Sequence, residues 1–220
     1  MIIKNSQQDI TIDFANTNAI AMKMSGGADS AIMAYMVAKY INDENKDFRM
    51  YPVTVNHPGK DYQINFASKV INYINTKFDN EIFLQHQTGL AESAQDYTPS
   101  MDKIVNGLYK EGKIQGHFVG ITKNPPPDAF DEAGTNLPTG FDRSFDKVKP
   151  TYLEYSMNRH AYMPLVNIDK KGIAELYHTL NVMDLFSITR SCEDFTTDFT
   201  THCTSCWWCK ERYWGFDTYE

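Results

Sequence analysis

Apolar and polar positions change rhythm repeatedly along the chain, and each change marks an element. Residues 19–24 (AIAMKM) form a short, nearly continuous apolar run, as a buried strand does. They open into 25–30 (SGGADS), after which Ile32, Met33, Met36, Val37 and Tyr40 recur at helical spacing to about Ile41. A polar turn at 42–47 precedes a second predicted strand over 49–55 (RMYPVTV), which Asn56-His57-Pro58-Gly59 breaks. Ile64, Phe66, Ala67, Val70, Ile71 and Ile74 mark a second amphipathic helix. A third strand is predicted over 81–85 (EIFLQ), a third helix over 101–111 and a fourth strand over 116–122 (GHFVGIT).

From 124 to 149 the pattern lapses. Pro125, Pro126 and Pro127 are followed by Gly134, Pro138 and Gly140 among charges, which reads as a lid, a binding loop or simply a mobile loop. Structure resumes over 161–166, and a helix starting near Asp169 carries Ile173, Leu176, Tyr177 and Leu180. Strands alternating with helices of this length imply right-handed crossovers and a parallel sheet. The expected fold is therefore α/β, a doubly wound parallel sheet, with a small C-terminal knuckle whose cysteines, read below, suit zinc binding. The expected division is 1–185, including the insert 124–150, and 186–220. Ligands of such sheets bind at the C-terminal ends of the strands, where strand order reverses.

Composition narrows the function classes. Of 220 residues, 42% are hydrophobic and 22% charged, enough to bury a real core. The net charge of -7 weighs against broad nucleic-acid binding, which draws on basic surfaces, but suits a small anionic substrate in a locally positive pocket. The longest apolar run, 31–38, is far short of the roughly 20 residues a membrane helix needs, and 1–14 lacks a leader's apolar stretch. A cytoplasmic protein with no membrane partner is expected.

The loop at 25–30 is the first candidate site. Two glycines after a strand let the backbone turn sharply and approach a ligand without a Cβ in the way. The helix that follows directs its unpaired N–H groups and positive end at whatever sits there. Ser25 and Ser30 add hydroxyls, and Asp29 can cap the helix or help to hold Mg2+. The loop lacks the Gly-Lys-Ser/Thr of a Walker A motif and the spacing of a dinucleotide fold. It reads as a cradle for a pyrophosphate.

All four cysteines, Cys192, Cys203, Cys206 and Cys209, lie in one short stretch, which points to a metal and not to disulfides. Four thiolates make a closed tetrahedral set suited to structural zinc. An iron–sulfur cluster would use the same ligands. Trp207 and Trp208 are expected to pack the knuckle against its domain, and His202 is a spare ligand.

Ser25 to Ser30 resembles the signature loop of the PP-loop ATP pyrophosphatases, which split ATP between its α and β phosphates and adenylate a substrate oxygen. Met163-Pro164-Leu165, Asp169-Lys170, Thr189, Ser191-Cys192 and CTSCWWCKER are similar, in this order, to the C-terminal half of 7-cyano-7-deazaguanine synthase. The resemblance implies an adenine-nucleotide-hydrolase-like fold and the cofactors ATP, Mg2+ and Zn2+. It implies a nucleotide-binding set of Ser25, Gly26, Gly27, Ala28, Asp29, Ser30, Val55 and Lys170, with Lys170 facing the phosphates. The metal set is Cys192, Cys203, Cys206 and Cys209.

The expected activity is an ATP-dependent C–N ligase that adenylates a carboxylate, releases pyrophosphate and forms an amide or nitrile with ammonia. A deazapurine-like acid is the substrate class implied, and a homodimer an admissible assembly. Alternatives are a PP-loop enzyme acting on a tRNA base or a protein terminus, and a nucleotide-binding module without turnover. The resemblance fails where that family binds its substrate. Met101 and Asp102 stand in place of an arginine and an asparagine, and residues 123–128 with the insert replace an acidic element. Asp102 is expected to repel a carboxylate, and Arg143, Lys147 or Lys149 of the insert to serve as replacement donors. Poor handling of 7-carboxy-7-deazaguanine follows.

Overall fold

The computed structural model describes residues 1–13, 18–78, 81–130, 152–156, 159–193 and 199–220. A small antiparallel pair, β1 (Ile2–Ile3) and β2 (Ile10–Thr11), opens the chain. The main sheet then takes β3 (Ala19–Lys23), β4 (Arg49–Asn56), β5 (Gln87–Leu90), β6 (Gly116–Phe118), β7 (Tyr152–Ser156) and β8 (Arg159–Tyr162). Its order is β5-β4-β3-β6-β8-β7, five parallel strands with β7 antiparallel at one edge. From β3 the chain first builds outward through β4 to β5, then returns to the other side of β3 as β6. The crevice beyond the C-terminal ends of β3 and β6 is thus a strand-order switch.

Side-chain alternation on the central strands serves two cores. Ile20, Met22 and Met24 enter one with α1 (Ala28–Asp43), α2 (Gln63–Phe78), α4 (Lys170–Thr179) and α5 (Met183–Ser187). Ala21, Val53 and Val55 enter the other with α3 (Tyr97–Lys110). Helices on both faces make the sheet doubly wound. α1 is buried on nearly every side because the sheet lies beneath it and α2, α4 and α5 pack around it.

Three predicted boundaries move. The third strand forms at 87–90 and not over 81–85, where Ile82 and Phe83 are buried but only a bridge from Phe83 to Met50 forms. There the apolar signal follows burial, whereas the ladder at this edge is made by Gln87, Thr88, Gly89 and Leu90. The fourth strand ends at Phe118, because the chain next crosses the start of α1: a Cβ on Gly120 would lie 3.2 Å from the Ser30 backbone. Over 161–166, where structure was expected to resume, β8 ends at Tyr162 and the chain turns. Within the insert, residues 131–150, with Arg143, Lys147 and Lys149, lie outside the described residues. No helix among the described residues is long and apolar enough to cross a membrane.

The last helix, α6 (Trp207–Phe216), is sewn into the first core. Phe216 stacks on Phe186 at 3.9 Å, and Arg212 is fully buried. Its guanidinium donates to Tyr219 O at 2.9 Å, to Thr189 Oγ1 and Ser191 Oγ at 3.0 Å each, and to Phe186 O at 3.1 Å. Burial brings its pKa down to about 10, so it stays charged at neutral pH. Arg212→Ala leaves these acceptors unpaired beside a cavity, and should destabilise the fold by about 4 kcal/mol. In thermal unfolding the expected loss is roughly 10 °C in Tm for a chain of this size.

Candidate functional site: a glycine loop and a cysteine cluster

The loop at the end of β3 takes its shape from backbone geometry before any side chain acts. Met24 N–H donates to Val53 O at 2.9 Å, holding the strand end in the sheet. Gly26 then adopts φ +77°, and a Cβ there would lie 2.4 Å from Phe66 Cβ and 2.8 Å from Ala67 N on α2. Both the left-handed conformation and the contact demand glycine. Gly27 caps α1 with extended backbone and without a side-chain hydrogen bond.

Ser25 and Ser30 close the turn. Ser30 Oγ accepts from Ser25 N–H at 3.3 Å and donates to Gly27 O at 3.1 Å, and Ser25 Oγ accepts from Gly27 N–H at 3.3 Å. The loop carbonyls are held from outside as well: Arg190 N–H donates to Gly26 O at 3.0 Å and Tyr177 OH to Ala28 O at 2.9 Å. With carbonyls tied back, the first-turn amides of α1 are the groups directed at the crevice.

Lys170 meets this loop from 141 residues away in sequence. It begins α4, whose cap Asp169 accepts from Lys171 N–H at 2.9 Å and Gly172 N–H at 3.3 Å. Gln7 grips the same cap through Asp169 Oδ1 and the Asp169 amide. Lys170 Nζ donates to both carboxylate oxygens of Asp29, at 2.6 and 2.7 Å, and lies 3.5 Å from Glu211 Oε2. It is buried, not a solvated surface lysine. Gly215 of α6 makes room for it, since a Cβ there would lie 2.4 Å from Lys170 Cγ. Glu211 and Gly215 escape sequence reasoning because they follow the cysteines and read as part of the knuckle. The one available signal is a carboxylate and a glycine four apart, on one face of the final helix.

Val55 is placed differently from the other expected nucleotide residues. Its side chain lies in the α3-side core, and its backbone, at the C-terminal end of β4, pairs with Gly89 of β5. Met101 is buried in that same core. Asp102 is held by Lys23, whose Nζ lies 2.5 Å from Asp102 Oδ1, so its charge is not the unopposed one the sequence suggests. Beneath them His117 receives or gives a hydrogen bond with Tyr109 OH at 3.0 Å. Burial, reinforced by Lys23, pushes its pKa down to about 4.

The four cysteines do converge. Their sulfurs all lie within 4.8 Å of one another, with Cys192 and Cys209 buried. Cys203 N–H donates to Cys192 Sγ at 3.4 Å and Cys206 N–H to Cys203 Sγ at 3.2 Å, contacts that favour thiolates. A hydrogen bond from the Cys209 thiol brings Cys206 down to about 5 and pushes Cys209 up. The set fits a single tetrahedral ion: metal–sulfur bonds of about 2.3 Å put sulfurs about 3.8 Å apart, and Cys203 and Cys209 sulfurs are 3.8 Å apart. Trp207 is buried against Trp208 and against Phe130 from the start of the insert, at ring distances of 4.8 and 5.6 Å.

No protein-family profile matches this chain, and no curated protein sequence matches it significantly. Among solved structures it is similar to the U34-tRNA thiolase NcsA from Methanococcus maripaludis with its [4Fe-4S] cluster, at 16% identity and a TM-score of 0.45. The match covers 83% of this chain and 61% of that one. Identity this low says nothing of which chemistry the two share.

Cys206→Ala removes one of four ligands and should cost the site its metal, with several kcal/mol of stability lost from the region around α6. Metal analysis of the purified chain should give about one zinc per wild-type molecule and well under that for the variant. Iron with sulfide in the wild type would overturn the single-ion reading.

Proposed function

We propose that this chain is an ATP-dependent enzyme of the PP-loop type, a C–N ligase resembling 7-cyano-7-deazaguanine synthase. The observation that supports it is the ammonium of Lys170 standing at the mouth of the glycine loop, paired to Asp29. A loop amide cradle with a buried lysine and a carboxylate is what a pyrophosphate leaving group with a bound cation requires. Gly26, Gly27, Ala28, Ser25 and Ser30 would hold the β and γ phosphates. Asp29 would hold Mg2+, and the backbone at Val55 lies along the same strand ends.

In this reading a carboxylate oxygen attacks the α phosphorus, the bond to the bridging oxygen breaks, and pyrophosphate departs with the electron pair. Ammonia then attacks the acyl carbon, AMP leaves and a proton is released, giving an amide. Nitrile formation repeats the adenylation on the amide oxygen with a second ATP, and AMP leaves as two protons are lost. The loop and Lys170 serve each round by stabilising the charge that collects on the pyrophosphate. Cys192, Cys203, Cys206 and Cys209 would hold Zn2+, whose contribution is to fix the fold around α6.

The substrate we favour is a small planar acid of the deazapurine type, bound beyond the ends of β3 and β6. Met101 supplies no donor there, and Asp102 already shares Lys23, so recognition must differ from that of 7-carboxy-7-deazaguanine.

Product analysis with ATP, Mg2+, ammonium and a panel of such acids should give AMP and pyrophosphate. Lys170→Ala should lower kcat/KM by about 100-fold or more. The 7-carboxy-7-deazaguanine acid itself should turn over slowly. ADP and inorganic phosphate as products would contradict the reading, and pyrophosphate release only on adding tRNA would move it to base modification.

A further inference from the structure

Beside the C-terminal end of β4 lies a buried polar atom with no partner among the described residues. Asn56, the last residue of the strand, is itself buried and ties down the start of α2. Its Nδ2 donates to Asp61 O at 2.7 Å, and its Oδ1 accepts from Ile64 N–H at 3.0 Å. That grip fixes Gln63, the first residue of α2, which is 6% exposed. The Gln63 amide nitrogen donates to the hydroxyl of Tyr97, at the start of α3. Its Oε1 is closed to solvent and has no donor. An acceptor buried in this way carries its full desolvation cost with nothing in return.

The place of this oxygen explains it. Gln63 and Ala67 share one face of α2, and Ala67 packs where Gly26 turns: a Cβ on Gly26 would lie 2.8 Å from Ala67 N. Gln63 is thus about 6 Å along the helix from the contact with the loop. Phosphates seated on the loop leave the base of a nucleotide within reach of this strand end. The Tyr97 ring also meets His57 edge-on at 5.4 Å, so Gln63, Tyr97 and His57 form one cluster. Next to His57 the turn is exposed at Pro58 and Gly59, and Gly59 has φ +82° with nothing within 4 Å of its Cβ position. The tip of that turn can lift without breaking a packed contact, and so open a way to the amide.

We infer that Gln63 sets the base specificity of the nucleotide site, its Oε1 accepting a hydrogen bond from the 6-amino group of adenine. The inference rests on the functional reading above, which seats the phosphates on the loop. Tyr97 holds the amide nitrogen and so fixes which end of the amide meets the base. A base with an oxo group at position 6 sets acceptor against acceptor and is refused. Gln63 touches the base alone, so it governs which nucleotide binds and not how pyrophosphate leaves.

The test is calorimetric titration of the full chain with ATP and with ITP, each with MgCl2. The two nucleotides differ only in the 6-amino or 6-oxo edge of the ring. Wild type should bind ATP about tenfold or more tighter than ITP. Gln63→Met, similar in volume and without an amide, should bring the two affinities to within about threefold while melting close to wild type. Tyr97→Phe frees the amide to turn its nitrogen toward the base, and should tighten ITP by about fivefold or more. If Gln63→Met does not fold, the wild-type ratio and Tyr97→Phe decide.

A folded Gln63→Met protein that keeps the wild-type ratio overturns the inference and leaves the phosphate reading standing. So does a wild type that binds ITP as well as ATP or better, or a Tyr97→Phe protein whose ITP affinity does not move. Binding of neither nucleotide to wild type overturns both the inference and the functional reading.

Discussion

One buried ammonium organises this molecule. Charge of that kind is costly to bury unless it is paired, and removing a partner is far worse than never having had the pair. Lys170 stands where three elements distant in sequence meet: the first turn of α1 through Asp29, the start of α4 through its own backbone, and α6 through Glu211 and Gly215. Both ends of the chain hold it in place. At the N-terminal end, Asn5 Nδ2 donates to Gly172 O, the Ser6 amide and hydroxyl both donate to Glu175, and Gln7 binds the Asp169 cap. At the C-terminal end the converging thiolates start α6, and Arg212 ties it to the segment that touches the loop at Gly26.

This arrangement gives the cysteine site a purpose without any open coordination position. A CxxCxxC run can turn tightly by itself, but Cys192 belongs to the strand of chain beside Arg190, whose amide holds the Gly26 carbonyl. Drawing Cys192 to the other three sulfurs fastens the helix carrying Glu211 to the segment that braces the glycine loop. The cysteine sulfurs, α6, Lys170 and the loop form one contiguous set of packed and bonded groups. Loss of the metal should therefore be felt at the loop, some distance from any sulfur.

What was legible in the sequence was whatever follows from local pattern. The apolar run before Ser25, the glycines and the amphipathic α1 and α2 are dictated within a few residues, and they appear as expected. Position 81–85 misled because Ile82 and Phe83 are apolar through burial, while the edge ladder at Gln87 to Leu90 is half polar and needs only backbone groups. Asp102 looked like an unopposed charge because nothing local indicates that Lys23, on a strand 79 residues away, lies under it. Val55 sits at the right strand end, but alternation turns its side chain into the α3-side core. Glu211 was hidden for the opposite reason: it lies inside a motif whose cysteines account for the local chemistry, and only tertiary packing gives it Lys170 as a partner.

The proposed function places the outer two phosphates of ATP on the Ser25–Ser30 loop and Lys170. A structure with Mg2+ and an ATP analogue uncleavable at its α–β bridge tests this directly. The expected result has the β and γ phosphates within hydrogen-bond distance of the loop amides, Lys170 Nζ on phosphate oxygen, and Asp29 on the cation. A nucleotide bound elsewhere, with Lys170 still gripping both oxygens of Asp29, would contradict it.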